Sequence, residues 1–263
     1  MPQVASVRPS VRDATLPIVD DRGRTEQRDD GREPCLGPAR ELAQMQADLA
    51  ELIATVRDPH LHALLLRLLD PDTEVGRRYH RAPAAKRYHH SYEHGLLEHS
   101  LTVAQAVSAV SAIFPGIDRD LAVTGALLHD IGKLDAYAAA DDGIDMTAAG
   151  RLQGEIPLGY FLVRTEIAAM GDVPPARAQE LLHVLLSHHG SLQHGSPVVP
   201  ATREATLVHF MDNLGGRLGS FDRLQQALTE GEEWSTWDRA LGGAAHFPAP
   251  PALPPADAQS AAA

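Results

Sequence analysis

The stretch Asp118-Arg119-Asp120-Leu121-Ala122-Val123-Thr124-Gly125-Ala126-Leu127-Leu128-His129-Asp130-Ile131-Gly132-Lys133 decides the fold. Asp118 is a suitable N-cap for a helix that runs through Leu121, Val123, Leu127 and Leu128 to His129. A helix this apolar belongs in a core, and it carries the imidazole and carboxylate of His129-Asp130 inward. Burying such groups costs free energy unless neighbouring groups compensate them. The dipeptide therefore asks what stands on the adjoining helices.

Helical spacing extends in both directions. Upstream, Leu42, Met45, Leu49, Leu52, Ile53 and Val56 recur at helix intervals, and Asp58-Pro59 offers an N-cap and first-turn proline for His60–Leu69. A helix from about His94 to Phe114 puts His99, Val103, Val107 and Val110 on one stripe before Pro115-Gly116. Downstream of the turn-rich Asp141–Gly154 stretch, a helix spans Leu158–Met170 and stops at Gly171. Pro174-Pro175 opens another, through Leu181, Leu182, Leu185 and Leu186 to His188-His189, closed by Gly190. Thr202, with Glu204 in the first turn, begins a last helix through Leu207, Val208 and Met211 to Leu214. No strand pattern interrupts the series. It predicts an all-α domain of about seven helices over residues 39–222. Residues 1–38 mix Arg, Asp, Gly and Pro without periodicity and read as a disordered tail. Residues 223–263 read as a Pro/Ala-rich extension, disordered from about residue 244.

Composition narrows the function. The 263 residues carry a net charge of −12 and 14 histidines, with Lys86 and Lys133 the only lysines. That balance argues against sequence-independent nucleic-acid binding through a basic face, but not against binding at a metal-lined cleft. No apolar run approaches the ~20 residues of a membrane span. The N-terminus has no signal-peptide core and Cys35 is the only cysteine, so the expected setting is a reducing cytoplasm.

Four sets of groups sit at helix ends or on inner faces: His99, His129-Asp130, His188-His189 and Asp212. Each has an ordinary reading. A single His-Asp pair is more often structural, His-His can complement a helix C-terminus, and Asp212 neighbours Asn213-Leu214-Gly215-Gly216 as an exposed acid would. Together they point to a shared cation. Imidazole with carboxylate suits Mn²⁺, Fe²⁺, Zn²⁺ or Ni²⁺, and a cysteine-free site drawn from distant helices looks catalytic.

The order His99, His129-Asp130, Asp212 resembles the H…HD…D signature of the HD superfamily of metal-dependent phosphohydrolases. The flanking text is more specific. Ala82-Pro83-Ala84-Ala85-Lys86, His89-His90-Ser91-Tyr92, Gly95-Leu96-Leu97-Glu98-His99, Leu127 through Lys133, Ser187-His188-His189-Gly190, Gly195 through Pro200 and Asp212-Asn213-Leu214 resemble the HD domain of YhaM-type 3′→5′ exoribonucleases, over residues 41–218. The resemblance implies an HD-domain helical bundle holding one or two divalent ions, Mn²⁺ first among Co²⁺, Fe²⁺, Ni²⁺ and Mg²⁺. It implies that His99, His129, Asp130 and Asp212 hold the first ion, Asp130 bridging to a second, and that His188 and His189 contribute to that second ion or to the phosphate pocket. Lys133 would reach a phosphate oxygen, and Lys86, His89 and His90 would line the substrate entrance.

Three features depart from that pattern. Glu155 stands where the family has histidine, a carboxylate that still suits a hard ion, and Gly215 replaces an acid near Asp212. The 38 residues ahead of the helices are also too few for the family's RNA-gripping OB-fold barrel. The leading expectation is hydrolysis of a nucleic-acid 3′ end, in short RNA or DNA, by metal-activated water. The alternatives are an HD nucleotidase or cyclic-dinucleotide phosphodiesterase acting on a small nucleotide, or a non-catalytic domain that senses nucleotides or binds a partner. A homo-oligomer is compatible with each, and a membrane is not expected.

Overall fold

The computed structural model describes residues 38–86, 90–140 and 143–248. The tail read over residues 1–38 falls outside this set except for its last residue, as do His89, Cys35 and residues 249–263. Described are the helices α1 (Leu42–Ala54), α2 (Pro59–Leu69), α3 (Glu74–Arg81), α4 (Gly95–Ser111), α5 (Arg119–Leu128), α6 (Lys133–Ala136), α7 (Ala148–Gln153), α8 (Glu155–Met170), α9 (Pro175–Ser187) and α10 (Arg203–Gln226). A hairpin of β1 (Tyr137–Ala140) and β2 (Gly143–Met146) stands between α6 and α7.

Helix starts follow the cap chemistry. Asp58 accepts from the amides of His60 and Leu61, Asp118 from Leu121, and Thr202 from Ala205, each satisfying donors that a first turn leaves unpaired. At the start of α4, His94 adopts a left-handed φ of 74°, which fixes the first turn at Gly95. Gly171, at φ 76°, ends α8.

Helices α4 and α5 are central and pack on each other, with α10 across both and α9 against α5, α8 and α10. Nearly every residue of α5 is buried, and so is much of α4. Their Leu97, Leu101, Val107, Leu121 and Leu127 join Met45, Leu61, Leu65, Val184 and Val208 in one apolar core. Tyr79 of α3 is fully buried and donates its hydroxyl to the Leu127 carbonyl at 3.0 Å, tying α3 to the end of α5.

The bundle is all-helical apart from the hairpin, which lies at the edge of a stretch read as turns. Tyr137 pairs with Met146 and Ala140 with Gly143. Ala138-Ala139-Ala140 favours helix by propensity; here the backbone ladder with β2 prevails, and neither strand contributes a buried residue. Helix α3 was hidden by its polar run, Glu74-Val75-Gly76-Arg77-Arg78-Tyr79-His80-Arg81, in which only Gly76, Tyr79 and His80 are buried. Helix α10 continues twelve residues past Leu214 to Gln226. Residues 233–247 fold back on themselves: the Ser235 amide donates to the Ala245 carbonyl and the Phe247 amide to that of Glu233.

Candidate metal centre

The end of α5 delivers His129 and Asp130 into the core, both 2% exposed. The Nδ1–H of His129 donates to the Ala126 carbonyl at 2.7 Å, and that of His188 donates to the Leu185 carbonyl at 2.7 Å. A carbonyl only accepts, so each bond sets the tautomer and leaves Nε2 as the inward-facing ligand atom. His189 is held likewise, its Nδ1 bonding to the His194 carbonyl at 2.9 Å.

These atoms converge. His99 Nε2 lies 3.2 Å from His129 Nε2, 3.2 Å from Asp212 Oδ1 and 3.2 Å from Asp130 Oδ2. His129 Nε2 is 3.3 Å from Asp130 Oδ2 and 3.6 Å from Asp212 Oδ1. On its other side, Asp130 places Oδ1 3.7 Å from His188 Nε2. Two donor groups result among the described residues, His99/His129/Asp212 and Asp130/His188/His189, each able to hold a metal ion. Asp130 Oδ1 and His188 Nε2 are buried without a hydrogen-bond partner. Imidazole and carboxylate donors with two such orphaned atoms fit a divalent cation.

Without an ion, these carboxylates and imidazoles interact strongly with one another. Burial alone would lower the His129 pKa; the carboxylates of Asp130 and then Asp212 outweigh it and push it up to about 10. Burial, reinforced by His129 and His189, takes His188 down to about 3. Asp130 is held well below the carboxylate range, because Lys133 and then His129 overcome the opposing effect of burial. Asp212 is lowered against burial by His129 and His99.

Glu155 opens α8, with Oε1 3.8 Å from His189 Nε2. Gly132 explains how it gets there. A Cβ at Gly132 would collide with the Glu155 carbonyl and the Gly159 amide, so only glycine lets α8 rest on the turn after Asp130. Gly190, at φ +79°, similarly passes under the His209 ring, whose Nδ1 bonds to the His188 carbonyl at 2.8 Å.

Other site residues expected from the sequence lie apart. Lys133 does enter, but its Nζ rests 2.6 Å from Asp130 Oδ2. Lys86 pairs with Asp145 of β2 at 2.6 Å. His90 stands behind His99, ring centroids 5.6 Å apart, and bonds through Nδ1 to the Tyr92 hydroxyl at 2.8 Å. Tyr92 in turn donates to Glu98 at 2.5 Å. Glu98, 3% exposed, escaped the sequence reading; it precedes His99 on a helix buried on most sides, where a carboxylate needs the partners Tyr92, His90 and the Ala39 amide.

Residues 96–216, which hold both donor groups, match the model of the HD domain. This segment, a little under half of the chain, is thus similar to the HD domain. Over 192 residues it is 29% identical to the 3′-5′ exoribonuclease YhaM of Bacillus licheniformis, the match covering 72% of this chain and 59% of that protein. This chain thus spans less than two thirds of that relative's length. No solved structure matches it. No helix among the described residues is long and apolar enough to cross a membrane.

Proposed function

We propose that this chain is a metal-dependent phosphodiesterase that removes nucleotides from the 3′ end of short RNA or DNA. One observation carries the reading: Asp130 directs its two oxygens at two separate donor groups, as a carboxylate bridging two ions does. His99, His129, Asp130 and Asp212 would hold one ion, and Asp130, His188, His189 and Glu155 a second, with Mn²⁺ the metal of first choice. Bound there, divalent cations lower the pKa of water towards ~7 and neutralise charge on the phosphoryl group.

The chain's own residues supply positioning. The Ala126 and Leu185 carbonyls fix the tautomers of His129 and His188, and the His90–Tyr92–Glu98 chain backs His99. Lys133 holds Asp130 in its ionised form. The 29% identity to an exoribonuclease supports a nucleic-acid substrate.

The test is shortening of a 5′-labelled oligoribonucleotide and its DNA counterpart by the purified chain, with Mn²⁺ and with EDTA. A ladder of shortened products that requires Mn²⁺ is expected. Hydrolysis confined to nucleoside monophosphates or cyclic dinucleotides would replace this reading with a small-nucleotide hydrolase. No turnover of any of them by metal-loaded protein would leave a sensing domain.

A further inference from the structure

A groove of about 450 Å³ lies beside the metal centre, between α3 with Pro83 on one wall and β1 on the other. Arg77, Arg78 and Arg81 line it from α3, Tyr137 from β1 and Lys133 from the start of α6; among the described residues Glu74 is its only acidic lining residue. In a chain of net charge −12, three arginines and a lysine line this one groove, each paired with a carboxylate.

The arginines are anchored yet open to solvent. Arg77 pairs with Glu74 at 2.7 Å and donates to the Asp72 carbonyl, its side chain 55% exposed. Arg81 pairs with Glu93 at 3.0 Å and is 76% exposed. Arg78 is braced at 2.5 Å by Asp135 and at 2.7 Å by the Leu134 carbonyl. Arg77 and Arg81 stand one turn apart, about 6 Å along the helix axis, so they present a row of cations rather than one cluster. Lys133 joins this row to the metal centre: it lines the groove and touches Asp130. Half-buried Tyr137 adds an aromatic face next to the cations, the pairing that single-stranded nucleic acid uses for stacking and backbone contact.

We infer that this groove is the track along which a single-stranded nucleic acid reaches the metal centre, Arg77, Arg78 and Arg81 contacting phosphates and Tyr137 a base. The inference rests on the proposed nuclease reading and adds the binding residues to it. A substrate of one nucleotide would have no use for a row of arginines along α3 in addition to Lys133.

The experiment is fluorescence anisotropy of a 5′-fluorescein-labelled twelve-nucleotide oligoadenylate, in EDTA so that nothing is hydrolysed, across a salt series. The variants are R77A/R81A and, for the same loss of charge elsewhere, R57A/R164A; thermal melts check that all three proteins fold. R77A/R81A is expected to bind about tenfold more weakly near 0.1 M salt, its log–log salt dependence shallower by about 1.4, as for two lost phosphate contacts on a single strand. R57A/R164A is expected to keep the wild-type slope. Equal losses in the two variants, wild-type binding by R77A/R81A, or no binding by the wild type would overturn the groove. Binding through the groove without Mn²⁺-dependent shortening would sink the nuclease reading alone. Shortening by wild type with undiminished binding in R77A/R81A would sink the groove alone.

Discussion

Asp130 Oδ1 and His188 Nε2 face each other at 3.7 Å, both buried and neither hydrogen-bonded. Two such atoms are too far apart to satisfy each other and too well shielded for bulk water, a costly arrangement unless a cation lies between the donor groups. The same carboxylate turns Oδ2 to His99, His129 and Lys133. One side chain thus links both donor groups and the ammonium, so metal affinity is expected to depend on Asp130 more than on any single histidine.

Replacing Asp130 by Asn keeps the shape and removes the charge. D130N is expected to lose bound metal in elemental analysis and to lower Mn²⁺ affinity at least ~100-fold, since changes even to groups behind the ligands typically cost 10–100-fold. Mn²⁺-dependent phosphodiesterase activity should go with it. A D130N protein that holds as much manganese as wild type would refute the bridging role.

Lys133 gives a prediction of opposite character. It is 16% exposed and its partner Asp130 is 2% exposed, so Lys133→Met leaves a buried carboxylate without its cation. Loss of one partner of such a pair costs about 3–5 kcal/mol. Chemical denaturation in EDTA should show this destabilisation, and saturating Mn²⁺ should restore part of it by neutralising Asp130. If added metal stabilises K133M no more than wild type, the ammonium and the ion do not share that carboxylate.

Metal itself should stabilise the folded chain. At an Mn²⁺ concentration 100 times the dissociation constant, linkage gives about 2.7 kcal/mol, or roughly 5–10 °C in the melting midpoint of a domain this size. Differential scanning calorimetry with Mn²⁺ and with EDTA measures it, and identical midpoints would contradict a structured metal centre.

The sequence shows some of this and conceals the rest for physical reasons. His99 stands on the α4 stripe with Val103 and Val107, and His129-Asp130 end a helix with no polar face, so periodicity alone points them inward. Asp212 shares a helix face with Val208, and the capping residues Asp58, Asp118 and Thr202 act locally. What stayed hidden depends on distant partners. Lys86 turns to Asp145, 59 residues on, and Glu98 is buried because Tyr92, His90 and Ala39 meet there. Helix α3 has too few apolar positions to show a stripe, and the alanines of β1 are strand only because the hairpin pairs them.

The metal-free chain should also lose stability on mild acidification, in part through His80. This residue is 5% exposed, bonds through Nε2 to the Leu69 carbonyl at 2.9 Å and lies 3.4 Å from Gln46 Nε2 through Nδ1. Burial lowers its pKa below 6.5, more than the Leu69 carbonyl raises it. The unfolded chain therefore binds this proton more readily than the folded one. The sign follows: the contribution is fully present above the unfolded value near 6.5 and diminishes as pH falls below it, by at most about 1.4 kcal/mol per pH unit. His183 and His188, also lowered by burial, add to the slope and His129, raised by its carboxylates, opposes it, in wild type and variant alike. Urea denaturation in EDTA between pH 7.5 and 5 should give a stability that falls more steeply in wild type than in H80Q, whose amide can still donate to Leu69. Parallel profiles for the two proteins would show that His80 takes up no extra proton on unfolding.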